Sequence, residues 1–193
     1  ADFTVLSVIG TLIDLTQLDS HLVSPPSPSL GWVHLPATRS AIIGAVKYIE
    51  YPCADELKDF IACYWVYERT YGPKEEESVL PDSYFELVSH RKSLYFDGNM
   101  QLPKYTLIGQ LDSPLILTAD TICNWNIRFH PLGLKAFTDT APPPEQAWES
   151  AASVLGAEWI FRLETQLSKI NENELAESLD YFFLIETICN KSD

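Results

Sequence analysis

The side chains between Trp65 and His130 hold most of the polar chemistry this sequence offers: Trp65, Tyr67, Asp82, Glu86, Gln110, Asn124, Asn126, Arg128 and His130. The last four lie in the run Ile122-Cys-Asn-Trp-Asn-Ile-Arg-Phe-His-Pro131. In an extended strand, alternate side chains take opposite faces. Cys123, Trp125, Ile127 and Phe129 then form an apolar face that reads as core. Ile122, Asn124, Asn126, Arg128 and His130 form the other face. Four successive polar side chains suit a wet face, because antiparallel sheets commonly wet one side. The functional alternative is a pocket wall, in which the planar fork of Arg128 clamps an acidic ligand. An inward Arg128 must meet a carboxylate, since an unpaired buried guanidinium is strongly destabilising. Asp82 and Glu86 are the candidates.

Asp82 follows Pro81 and precedes Ser83, a turn signal, so its ordinary role is to cap nearby backbone amides. Glu86 sits inside Tyr84-Phe-Glu-Leu-Val88, where a charge must be wet or paired. Tyr64, Trp65, Tyr67 and Trp125 are core residues or the walls of a mostly apolar ligand cavity. The histidines are His21, His34, His90 and His130, and no H-x-H or H-E-x-x-H occurs, so no metal is expected. No G-x-S-x-G, P-loop or G-x-G-x-x-G occurs either, and the expectation is a non-enzyme without a cofactor. Cys53, Cys63, Cys123 and Cys189 form no C-x-x-C pair, which fits a reduced cytoplasmic protein.

These residues need a sheet to hold them. Phe60 to Tyr67 carries β-branched and aromatic residues on both faces, as a strand covered on both sides would. Ala54 to Lys58 reads as a helical turn with Leu57 inward. Tyr84 to Val88, Tyr105 to Gln110, Leu115 to Thr118 and Ile122 to Phe129 read as further strands, with a hairpin at Asp97-Gly98-Asn99. Tyr71 to Glu77 reads as a polar loop with a solvated charge run. Ser24-Pro-Pro-Ser-Pro-Ser29 and Pro142 to Pro144 break the chain. Beyond them Trp148, Ala151, Ala152, Leu155, Trp159, Leu163 and Leu167 recur with helical period. Asn171-Glu-Asn-Glu174 then starts a second helix carrying Leu175, Leu179, Phe182 and Phe183. The expected fold is α+β: a small antiparallel β-sandwich or cupin-like barrel followed by two amphipathic helices. The expected division is an accessory segment over 1–48, a β-rich domain over 49–140 and a helical region over 141–193.

The chain has 193 residues and a formal net charge of −14, without a basic patch. Phosphate backbones attract clustered Lys and Arg, so these residues by themselves are a poor DNA binder. The apolar run at 1–13 is too short to span a bilayer and has no basic leader, and that at 41–49 is brief and interrupted by Lys47, so no membrane segment and no signal peptide are expected.

The order of short motifs carries a resemblance. Tyr51-Pro52, Leu57, Tyr64-Trp65-Val66, Leu80-Pro81-Asp82, Glu86-Leu87-Val88, Ile108-Gly109-Gln110 and Ile127-Arg128-Phe129-His130-Pro131 with Gly133 resemble the sensor-side domain of AraC-type transcriptional regulators. The departures are Ser83 after Pro-Asp and Leu132 before Gly133, where glycine is usual. The resemblance implies a regulatory domain that senses a small effector or a partner and forms a homodimer. It implies that DNA is contacted only through a helix-turn-helix domain that these residues do not contain. The alternative is a stand-alone small-molecule-binding barrel protein or enzyme.

Overall fold

Apolar and aromatic residues occupy both sides of the central strands Ile61–Thr70, Phe85–His90 and Tyr105–Ile108, and two faces of one sheet are covered as a result. The computed structural model describes residues 5–8, 11–14, 39–43, 46–70, 76–92, 95–119, 121–140 and 147–190. The proline-rich breaks at 24–29 and 142–144, the loop tip at 71–75, and His21 and His34 lie outside the described residues.

The strands are β1 (Val5–Val8), β2 (Thr11–Asp14), β3 (Arg39–Ile43), β4 (Val46–Tyr51), β5 (Ile61–Thr70), β6 (Glu76–Val79) and β7 (Phe85–His90). They continue with β8 (Phe96–Asp97), β9 (Met100–Gln101), β10 (Tyr105–Ile108), β11 (Leu115–Thr118), β12 (Thr121–Phe129) and β13 (Trp148–Ser150). The helices are α1 (Ala151–Leu155), α2 (Ala157–Leu167) and α3 (Leu175–Asn190). A large sheet has the order β13-β10-β7-β12-β5-β4-β3, and a smaller one the order β6-β11-β8-β9; β1 and β2 form a separate hairpin. All strand pairings among the described residues are antiparallel. The expected α+β architecture, a β-sandwich followed by carboxy-terminal helices, is the one observed.

Each face of the large sheet has its own core. Tyr64, Val66, Leu87, Leu107, Trp125, Ile127 and Phe129 meet the helices through Leu155, Trp159, Leu163, Leu179 and Phe183. Tyr48, Trp65, Tyr67, Val88, Ile108 and Ile122 meet Val79, Leu115 and Leu117 of the small sheet. Leu57, on the expected helical turn, is fully buried. The turn at 97–99 is present, with Gly98 at φ 58°, a conformation glycine adopts without a Cβ penalty.

Three expectations need correction. The polar side of β12 does not face solvent: Asn124 and Asn126 are fully buried between the sheets, because β6 and β11 close over that face. The charge run before Val79 is not all solvated: Glu77 is fully buried on β6. The helical stripe from Trp148 is not one helix. Trp148 pairs with Ile108 as the edge of the large sheet, and Gly156 at φ 92° separates α1 from α2. The second helix starts as expected. Asn171 accepts from the Asn173 amide at 3.0 Å, and Glu174 accepts from the Asn171 amide at 2.9 Å, a capping box.

Candidate functional site

Strand pairing assembles the site. Residue Arg128 on β12 stands opposite Glu86 on β7 and Cys63 on β5, and Asn126 stands opposite Trp65. All of these are on the face enclosed by the small sheet. Glu86 Oε1 accepts from Arg128 Nε at 2.6 Å, and Arg128 Nη2 lies at ion-pair distance, 2.6 Å, from the same oxygen. Side-chain exposure is 16% for Arg128 and 8% for Glu86, so the pair is largely desolvated. Of the two carboxylates open to Arg128 from sequence, the structure therefore selects Glu86. Asp82 caps the turn instead, accepting from the Tyr84 amide at 2.9 Å.

Aromatic rings flank the guanidinium. Its carbon lies 5.8 Å from the centre of the Trp65 ring and 5.4 Å from that of Tyr84, within cation–π range. Tyr48 donates to Glu50 alongside, and burial pushes the Tyr48 hydroxyl up. Burial likewise raises the Cys63 thiol to about 12, against the pull of Arg128, which makes it a poor nucleophile. The Glu86 carboxyl is raised by burial against the opposing pull of Arg128. Trp65 Nε1 and Asn126 Oδ1 are buried without a hydrogen-bond partner among the described residues. A donor and an acceptor are thus left unpaired between the sheets, at a desolvation cost.

Farther along the same face lies a second polar group, centred on His90, which was not among the expected site residues. His90 Nδ1 lies 3.1 Å from Asn124 Oδ1, and its Nε2 lies 3.2 Å from Thr106 Oγ1. Asn124 donates to the Tyr95 hydroxyl at 2.9 Å. Burial lowers His90 to about 4, so the imidazole is neutral at neutral pH. Glu77 packs beside Tyr67, with Arg69 Nη1 at 3.9 Å, and burial raises its carboxyl to about 8. The only sequence signal for His90 is its place in the alternation of β7.

The expected site residues thus divide. Trp65, Glu86, Asn126 and Arg128 converge at one end of the enclosed face, with Asp82 at its edge. Tyr67 and Asn124 belong to the deeper group. His130 is half-buried, with its ring 5.9 Å from Tyr84. Gln110 is exposed and donates to the Ser83 carbonyl at 2.7 Å.

The cleft beside Arg128, lined by Asp82, Tyr84, Glu86, Ile108 and Leu111, holds about 10 Å³. That is close to the space one water needs. A larger cavity of about 390 Å³ lies outside the sandwich, against Phe85, Gln110, Pro131, Leu134, Lys135 and Asp139. Among the described residues, no three His, Cys, Asp or Glu side chains group as metal ligands would. Among the same residues, no helix is long and apolar enough to cross a membrane.

Residues 49–145 match the family described as a domain of unknown function, DUF6597. No curated protein and no solved structure matches the chain. The matched segment holds β5, β7, β10 and β12 with the Arg128–Glu86 pair, and it spans just over half of the sequence. The chain therefore belongs to the DUF6597 family.

Proposed function

We propose that this chain is the regulatory domain of an AraC-type transcription factor. The enclosed face of the sandwich senses a small polar effector, and the helices relay the outcome to a separate DNA-binding domain. The observation that carries this reading is the Arg128–Glu86 pair on the same enclosed face as the unpaired buried polar atoms of Trp65 and Asn126. The strands that bear it also bear the helix contacts. Trp65 is followed back along β5 by Tyr64, whose hydroxyl donates to Asp180 of α3 at 2.9 Å. Arg128 is followed on β12 by Phe129, whose ring lies 5.8 Å from Phe183 of α3. A guest that moves β5 or β12 therefore acts on α3 directly. A ligand switches such a protein only by binding one arrangement better than the other. Because the cleft is small, the sensing arrangement is one in which the small sheet shifts outward. The exposed side of α3 supports homodimer formation.

The test is a thermal-shift screen of small polar metabolites on the wild type and on Arg128→Lys. The variant keeps the charge and loses the planar fork. Effectors raise the melting temperature of the wild type and not of the variant. In a fusion to a helix-turn-helix domain, the same compounds change DNA occupancy. Compounds that shift both proteins equally would remove the enclosed face as the sensor.

A further inference from the structure

We propose that the cavity bounded by Phe85, Pro131, Leu134, Lys135 and Asp139 binds a small zwitterion with an apolar body, of which a free α-amino acid is the simplest kind. This site is separate from the Arg128 cleft.

Its volume, about 390 Å³, falls within the roughly 300–1,000 Å³ typical of small-molecule pockets. Phe85, Pro131 and Leu134 give it an apolar floor. Its walls are fixed by bonds of their own. A Cβ on Gly133 would sit 1.9 Å from the Phe60 carbonyl oxygen, so the turn bearing Leu134 and Lys135 is seated hard on Phe60. The His130 amide donates to that same oxygen at 2.9 Å. Thr138 Oγ1 donates to the Val154 carbonyl at 2.6 Å and accepts from the Thr140 amide at 3.0 Å. Gln110, also lining the cavity, donates to the Ser83 carbonyl at 2.7 Å. A pocket held this way needs little ordering when a ligand enters, which favours binding.

The rim selects the ligand. Lys135 and Asp139 are exposed, one of each sign, and among the described residues neither has an ion-pair partner. An apolar anion placed here would gain Lys135 but meet Asp139. An apolar amine would gain Asp139 but meet Lys135. A zwitterion pairs its carboxylate with Lys135 and its ammonium with Asp139, while its side chain covers the floor. Discrimination then comes from repulsion of the singly charged analogues as much as from attraction.

The test is isothermal titration of the whole 193-residue chain with L-leucine, glycine, 4-methylpentanoate and 3-methylbutylamine. L-Leucine binds, and each analogue, lacking the ammonium, the carboxylate or the apolar side chain, binds about tenfold more weakly. Lys135→Gln removes the advantage of leucine over the amine, and Asp139→Asn removes its advantage over the carboxylate. Both residues are exposed, so circular dichroism of the variants matches the wild type. Arg128→Lys leaves leucine binding unchanged. Absence of binding by L-leucine overturns the proposal. So does equal binding of leucine and its singly charged analogues, or leucine binding that ignores both rim substitutions.

Discussion

A buried ion pair is worth most when it is kept whole. Arg128 and Glu86 share a hydrogen bond and a close ion-pair contact with little solvent between the sheets, so Arg128→Ala leaves a desolvated carboxylate behind. The expected loss is ~3–5 kcal/mol in urea denaturation. Replacing both residues with apolar ones of similar volume restores most of it, whereas full additivity of the single changes would mean that the pair does not act as a unit. His90 gives a pH signature. Its folded value, about 4, lies below the ordinary 6.5 because burial disfavours the cation. Between these values the unfolded chain takes up a proton that the fold refuses. Stability attributable to His90 is therefore complete above pH 6.5 and is lost as pH falls toward 4, by roughly 3 kcal/mol. His90→Gln flattens this part of the stability–pH profile. An unchanged slope would show that the imidazole is protonated in the fold or that another group sets the profile.

At the scale of elements, the helices are part of the fold rather than an appendage. Trp159 of α2 is 5% exposed and meets Phe182 edge-on at 5.0 Å. Asp180 of α3 accepts from both the Ala54 amide and the Tyr64 hydroxyl at 2.9 Å. Glu172, just ahead of α3, holds Lys47 of β4 at 2.6 Å. Trp159→Asp is therefore expected to destabilise the monomer by at least about 3–5 kcal/mol, the usual cost of emptying a large aromatic site, with a buried charge added to it. A variant that stayed as stable as the wild type and lost only self-association would show that α2 is not docked. The same contacts give α3 a position set by β4, β5 and β12 together.

For the whole molecule, charge and surface act together. The formal charge of −14 keeps copies of this chain apart except where carboxylates are few. The outer side of α3 is such a place, with Tyr181 63%, Ile185 39% and Ile188 67% exposed at helical spacing. Glu186 nearby is tied to Arg162 at 2.9 Å. The homodimer proposed for this protein is assigned to that stripe. Ile188→Asp is expected to leave thermal stability within about 0.5 kcal/mol, as exposed substitutions usually do, and to lower the dimer fraction in sedimentation. A wild type that stays monomeric at every concentration would remove the homodimer from the reading.

Local patterns in the chain locate β5, β7, β10, β11 and β12 and the turns at 81–83 and 97–99, but not β3, β4, β6 or β13. Alternation of apolar residues, the glycine at 98, the Pro81 turn and the Asn171 cap are local signals, and each places its element to within a few residues. The sequence also required that an inward Arg128 meet a carboxylate, because the cost of burying a lone charge is independent of fold. That Arg128 points inward is an outcome of long-range packing. The polar side of β12 looks the same in sequence whether water or a second sheet covers it, and coverage by β6 and β11 is a long-range fact. For the same reason Glu77 read as part of a solvated charge run, and His90, Tyr95 and Thr106 gave no sign of lying together. Trp148 kept helical spacing yet became an edge strand, because the free edge of β10 offered backbone partners that local periodicity does not register.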